Sequence, residues 1–237
     1  MKTNKKVALV TGGSRGLGRA LSLALARSGF VVYATGRNPA PLELLQTFAA
    51  EDGLAIVGVR SDIASSTDNQ ALVEMLEADV GRLDLVVHNA SLLGPRVSLS
   101  DYPSEAFEAV MAANANGPYD LTRKLVPLLG SGACIQFVTS GVGVVGKAGW
   151  GAYSVSKFAL EGMAQIWAEE LKEVGVRVFV IDPGSMRTQM RAEAFPMESP
   201  EALIAPEANV NPFLWLAKEG GIEQSGERFK AQSFPYL

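Results

Sequence analysis

The chain has 237 residues, 48% hydrophobic and 19% charged, and its 21 Lys and Arg stand against 25 Asp and Glu for a net charge of −4. This balance belongs to a folded chain and excludes both a disordered polymer and a general electrostatic pull toward nucleic acid or an anionic membrane. No apolar run nears the length of a membrane span, the short "VALV" after the basic "MKTNKK" is too brief for a signal-peptide core, and the lone Cys134 has no internal disulfide partner, so a cytoplasmic protein is expected.

In chain order, "KVALVT" reads as a strand that runs through a glycine-rich turn into a helix over 16–28. "FVVYAT" precedes a helix at 41–51, "LAIVGV" one at 66–80, and "LDLVVH" one at 104–129. "CIQFVT" is followed by a helix at 152–173, and "VRVFVI" by an irregular stretch, 185–206, where three prolines break the rhythm as in a lid or binding loop. A helix near 206–218 and a strand around "ERFKA" close the sheet. The strand runs are apolar almost without alternation, the pattern of strands covered on both faces. Strict alternation of strand and helix predicts an α/β fold, a doubly wound parallel sheet of about seven strands in one domain spanning 1–237.

The stretch "LVTGGSRGLGRA" sets Gly12, Gly16 and Gly18 in a G-x-x-x-G-x-G spacing where the first strand meets the first helix. Glycine there permits a tight turn, a close backbone approach to a ligand and a helix packed hard on its strand, and free N–H groups at the helix start favour a phosphate. An ordinary turn also uses glycine, but the position after the first strand favours a nucleotide site. The second strand ends "YATGRNP", so Gly36 stands where an acidic residue would take the ribose hydroxyls of NAD, and Arg37 follows it. Together with Arg15 in the glycine turn, Arg37 suits the 2′-phosphate of NADP. Further on, Tyr153 and Lys157 in "GAYSVSKFAL" share one helix face by their i, i+4 spacing. Taken alone they also read as a surface Tyr beside a solvated Lys.

With these motifs together, the chain resembles the short-chain dehydrogenase/reductase family over almost its whole length, most strongly from Lys6 to Thr188. The T-G-x-x-x-G-x-G turn falls on Thr11 to Gly18 and the Y-x-x-x-K pair on Tyr153 and Lys157. The family's serine, thirteen residues before the tyrosine, falls on Ser140, and its asparagine, in an N-x-x-G context on the long central helix, on Asn114. The resemblance implies a single-domain Rossmann-type fold with Asn114, Ser140, Tyr153 and Lys157 catalytic. It implies NADP(H) bound along Gly12, Ser14, Arg15, Gly16, Leu17, Gly18, Arg37, Asp62, Ile63, Asn89, Ala90, Tyr153, Lys157, Pro183, Gly184, Met186 and Thr188. The N-N-A-G motif appears as "HNAS", where His88 and Ser91 depart from the pattern; this bears on local geometry and removes no catalytic group. His88 is the one histidine and has no partner for a metal site, so no metal is expected.

A carbonyl that accepts hydride develops negative charge on oxygen and needs a proton donor with an anion-stabilising neighbour. Tyrosine's reference pKa of about 10 is high for that task, and Lys157 is expected to lower it. In the family, the same lysine holds the nicotinamide ribose, Ser140 would hydrogen-bond the substrate oxygen, and Asn114 would position a water relaying protons to Lys157. The expected function is that of an NADP-dependent oxidoreductase, most simply a carbonyl reductase, acting on a small-molecule alcohol or carbonyl substrate, with a bulky or hydrophobic carbonyl compound expected. The resemblance implies a homodimer or homotetramer, paired through the helices at 104–129 and 152–173. A catalytically silent NADP-binding regulator, or an epimerase or dehydratase on the same scaffold, are the alternatives. By family position Leu92, Leu93, Val142, Trp150, Met186 and Met190 line an apolar substrate pocket, core packing being the other reading, while Arg187 and Arg191 either attract an anion or are simply solvated.

Overall fold

The computed structural model describes residues 4–236, so the start of the basic N-terminal stretch and the last residue lie outside the described residues. The strands are β1 Val7–Val10, β2 Val31–Gly36, β3 Ile56–Arg60, β4 Leu83–His88, β5 Leu129–Val138, β6 Arg177–Asp182 and β7 Arg228–Lys230. The helices are α1 Gly16–Arg27, α2 Pro39–Glu51, α3 Ser66–Asp79, α4 Ser104–Met111, α5 Gly117–Leu125, α6 Gly151–Leu171, α7 Gln189–Ala194 and α8 Asn211–Lys218. All seven strands run parallel in one sheet of order β3-β2-β1-β4-β5-β6-β7.

Alternating side chains along the strands feed two cores, one per face, which is why the strand sequences are apolar throughout. On β1, Ala8 and Val10 pack with Leu21 and Leu25 of α1, Leu42 and Leu45 of α2 and Phe213 and Leu216 of α8. Val7 and Leu9 pack on the opposite face with Leu72 and Leu76 of α3, Leu121 and Leu125 of α5 and Leu160 and Ala164 of α6. Local signals start the helices. Asn38 caps α2 by accepting from the Ala40 N–H, and Ser65 caps α3 by accepting from the Asp68 N–H. Among the described residues no helix is long and apolar enough to cross a membrane.

Three expected boundaries are corrected. The single helix expected over 104–129 is α4 and α5 joined by a π-helical turn, Ala112–Asn116. Helix ends at Leu125 and a single tighter turn, Val126–Leu128, follows; Pro127 there has no N–H to continue the α ladder. β5 begins at Leu129, before the apolar run around Cys134, and reaches its register with β4 through a shift between Leu83 and Leu85. The helix expected from 206 starts at Asn211, after a short turn at Pro206–Asn209. The stretch 185–206 is ordered by its own contacts, which include α7 and a parallel bridge of Met186 with Ile204. Strand order reverses between β1 and β4, the place where doubly wound sheets open a crevice for ligands.

Candidate active site

A cleft of about 1,550 Å³ lies over the C-terminal ends of β1, β4, β5 and β6. Its walls include every cofactor residue expected from the sequence except Gly18, and three of the four catalytic ones, Ser140, Tyr153 and Lys157. Gly18 acts behind the wall: a Cβ there would sit 2.0 Å from the Gly12 carbonyl oxygen, so only glycine lets α1 pack onto the turn. Gly12 and Gly16 hold positive φ angles of 62° and 51°, which L side chains resist. The loop after β4 braces the turn, since the Asn89 carboxamide donates to the carbonyls of Thr11 and Gly12 at 3.0 and 3.1 Å.

The nucleotide end is suited to a phosphorylated ligand. α1 starts without a side-chain cap and with no acid in its first turn, which leaves its leading N–H groups free to bind an anion. Arg15 and Arg37 are exposed at the cleft, and neither joins an ion pair among the described residues. At Gly36 an added Cβ would meet the Ser14 hydroxyl oxygen at 3.1 Å, so the turn itself crowds the position an acid would take. The Asp62 side chain is set by accepting from the Ala64 N–H at 3.0 Å. These residues fit a dinucleotide with an extra phosphate.

At the inner end, Tyr153 and Lys157 are both buried on α6. The Lys157 ammonium donates to the Val138 carbonyl at 2.8 Å and lies 5.6 Å from the Tyr153 ring centroid. Burial pushes the phenol up to about 12; the Ser140 side chain works against that rise and the Asp182 charge adds to it. In the protein as folded, desolvation sets the direction for the phenol, and the Lys157 ammonium, expected to pull it down, is directed to a backbone carbonyl. Burial likewise brings Lys157 down to about 8, opposed by the charges of Glu161 and Asp182. The loop carrying Ser140 is tied to α6 by the Ser154 hydroxyl, which donates to the Val142 carbonyl at 2.6 Å.

Asn114 does not face the cleft. It sits on the π turn, fully buried, its Nδ2 donating to the Leu92 carbonyl at 2.8 Å and to Ser156 at 3.0 Å while its Oδ1 accepts from the Leu92 N–H at 2.7 Å. The carboxamide is therefore occupied in bracing the loop after β4. His88 is buried beneath the site, stacked on Phe137 at 4.8 Å, with its Nε2 2.8 Å from the Thr122 hydroxyl; burial pushes it down to about 3 and keeps it neutral. Among the described residues no cluster of three or more His, Cys, Asp or Glu is placed to hold a metal ion.

Leu92, Leu93, Val142, Trp150, Met186 and Met190 all line the cleft. Arg187 does not, and Arg191 is engaged by Glu198 through two bonds of 2.6 Å. Sequence reasoning missed Arg96, whose guanidinium lies 4.1 Å from the Trp150 ring and 5.1 Å from that of Phe195. It donates to the carbonyls of Gly149 and Ala194 at 2.8 and 3.1 Å, tying the loop before α6 to α7. Backbone carbonyls so distant in sequence leave no local motif that could have revealed it.

Residues 6–199 match the family model described as short chain dehydrogenase. The chain is 38% identical over 235 residues to the uncharacterized oxidoreductase YciK of Escherichia coli K12, covering 97% of this chain and 92% of that one. It is 30% identical to the 3-oxoacyl-[acyl-carrier-protein] reductase FabG of Pseudomonas aeruginosa PAO1, over 86% of this chain and 83% of the relative. Among solved structures, a short chain dehydrogenase of Escherichia coli CFT073 complexed with NADPH superposes with a TM-score of 0.91 at 38% identity, covering 96% of each chain. The chain belongs to the short-chain dehydrogenase family.

Proposed function

From this family membership we propose that the chain is an NADP(H)-dependent oxidoreductase that transfers hydride between the cofactor and an alcohol/carbonyl pair, working as a carbonyl reductase. The observation that carries the reading is one continuous cleft with Tyr153, Ser140 and Lys157 at its inner end and the unpaired Arg15 and Arg37 at its nucleotide end. The NADPH complex of the Escherichia coli CFT073 neighbour supports the cofactor choice. When bound, the reduced cofactor supplies the hydride.

The protein's own part is to hold the carbonyl and deliver the proton. Tyr153, kept protonated well above neutral pH by burial, donates its hydroxyl proton as negative charge grows on the substrate oxygen. Ser140 hydrogen-bonds the same oxygen and stabilises that charge. Lys157, still largely charged at neutral pH, favours the phenolate that remains and is the proton source for its recovery. With its carboxamide occupied, Asn114 would hold a relay water only through its backbone carbonyl. The apolar lining contributed by Leu93, Val142, Trp150 and Met190 favours a bulky or hydrophobic carbonyl compound. The buried free Cys134 is compatible with the reducing cytoplasm, where the reading places the protein.

The test is oxidation of NADPH, beside NADH, against a panel of ketones, aldehydes and quinones. Tyr153→Phe should lose turnover by about a thousandfold or more while NADPH still binds, because general acid catalysis goes and the ring stays. Lys157→Ala should damage both. Near-normal turnover in Tyr153→Phe would show the acid assignment wrong. Tight NADPH binding with no net oxidation by any carbonyl would point to the silent or the epimerase and dehydratase alternatives.

A further inference from the structure

Three consecutive residues at the end of β5 are each held by a charged side chain. Lys157 donates to the Val138 carbonyl at 2.8 Å, Glu161 accepts from the Thr139 hydroxyl at 2.7 Å, and Arg228 donates to the Ser140 carbonyl at 3.3 Å. Lys157 and Glu161 stand one turn apart on α6, but Arg228 comes from β7, on the far side of β6. The same guanidinium donates to Glu161 at 2.9 Å and to Asp182 at 2.8 Å. The other Asp182 oxygen accepts from the Gly184 N–H at 3.0 Å, within the segment that lines the cleft. The side chains of Arg228, Glu161 and Asp182 are only 20%, 9% and 11% exposed. Desolvation offsets most of the attraction in ion pairs buried this far, so stability is a weak reason for the arrangement. Its place against Ser140 and Lys157 supplies a better one.

We propose that Arg228 is a positioning residue of the catalytic centre, which fixes Ser140 by its carbonyl and neutralises the two carboxylates that flank the Tyr153–Lys157 pair. This role rests on the reading of Tyr153 as the proton donor. The ionisable groups acting on the Tyr153–Lys157 pair are Glu161 on the same helix and Asp182 at the end of β6, and Arg228 on β7 pairs with both carboxylates. Asp182 raises the phenol's hold on its proton, and both carboxylates raise that of the ammonium. Loss of the guanidinium exposes both negative charges, so both groups should keep their protons to higher pH. Loss of the Asp182 carboxylate should act in the opposite direction.

The experiment is a titration of Tyr153 by the pH dependence of kcat for alcohol oxidation with saturating NADP+, which rises with the phenolate fraction and so reads the phenol below its midpoint, taken against the Tyr153→Phe background, beside kcat and KM for NADPH. Arg228→Met should bind the phenol proton about tenfold more tightly and lower kcat about tenfold, with KM for NADPH within about twofold of wild type. Asp182→Asn should move the titration to lower pH. Arg228→Lys keeps the charge and loses the planar fork, so it should titrate near wild type while kcat falls severalfold. It also carries the test if the Met variant does not fold, since wild-type kcat in Arg228→Lys would mean that the hold on Ser140 is idle. An Arg228→Met protein with a lower Tm but unchanged titration and kcat would overturn the role alone, provided Tyr153→Phe is inactive. A Tyr153→Phe protein that keeps its turnover would overturn the underlying reading and this role with it.

Discussion

Arg37 and Gly36 stand side by side at the end of β2, one supplying a charge and the other no side chain, and the proposed preference for NADPH rests on them. A charge-assisted hydrogen bond contributes roughly 1.5 to 3 kcal/mol, so Arg37→Ala should weaken NADPH by about ten- to a hundredfold and spare NADH. Adding Gly36→Asp should tilt preference to NADH once the Ser14 hydroxyl, 3.1 Å from the new Cβ, has turned aside. The check is kcat/KM for both cofactors at fixed ionic strength; an equal effect on both would mean that the 2′-phosphate binds elsewhere. His88 makes a different statement at the same scale. Its folded pKa of about 3 lies below the unfolded value, so the unfolded chain takes up the proton first as pH falls. Its contribution is intact above the unfolded pKa and is lost as pH drops from about 6.5 toward 3, by roughly 3 kcal/mol at pH 4. Urea midpoints should therefore fall more steeply between pH 7.5 and 4.5 in wild type than in His88→Asn, and parallel falls would contradict the neutral, buried state.

The glycine turn and the π turn show how elements place those residues. Gly18→Ala puts a methyl 2.0 Å from the Gly12 oxygen, and the strand-to-helix joint has to open to admit it. NADPH affinity should drop more than about tenfold, since the leading N–H groups of α1 move off the phosphates, and a calorimetric Kd near wild type would refute that geometry. This turn was legible in the sequence because its glycines answer a backbone need at fixed spacing. The π turn at Ala112–Asn116 was not, since alanine and asparagine carry no local signal for it. It coincides with long-range contacts: Asn114 bonds the Leu92 backbone, and at Gly117 a Cβ would come within 2.3 Å of the Ile63 carbonyl.

Across the whole molecule, Val155, Phe158 and Ile166 form an exposed apolar stripe on α6 with Gly162 among them, and Tyr119 is exposed on α5. An i, i+3, i+7, i+11 spacing sets the four α6 residues on one face, and nothing lies within 4 Å of a Cβ added at Gly162. Helix pairing between copies of the chain, as a homodimer or within a homotetramer, would bury this face. Phe158→Glu should then shift the mass measured by light scattering to a smaller species, while a mass unchanged from wild type would place the interface elsewhere or show that there is none to break.

The sequence by itself determined the alternation of strands and helices, the glycine turn, the missing acid at Gly36 and the pairing of Tyr153 with Lys157. All of these follow from backbone conformation and side-chain spacing within a few residues. Only the tertiary structure decided that Asn114 turns away from the cleft, that Lys157 serves the Val138 carbonyl and that burial drives the Tyr153 phenol up. It also brought Arg228, far along the chain, under Ser140. Desolvation depends on every element packed around a group, and hydrogen bonds to backbone carbonyls leave no trace in the identity of the residues that accept them.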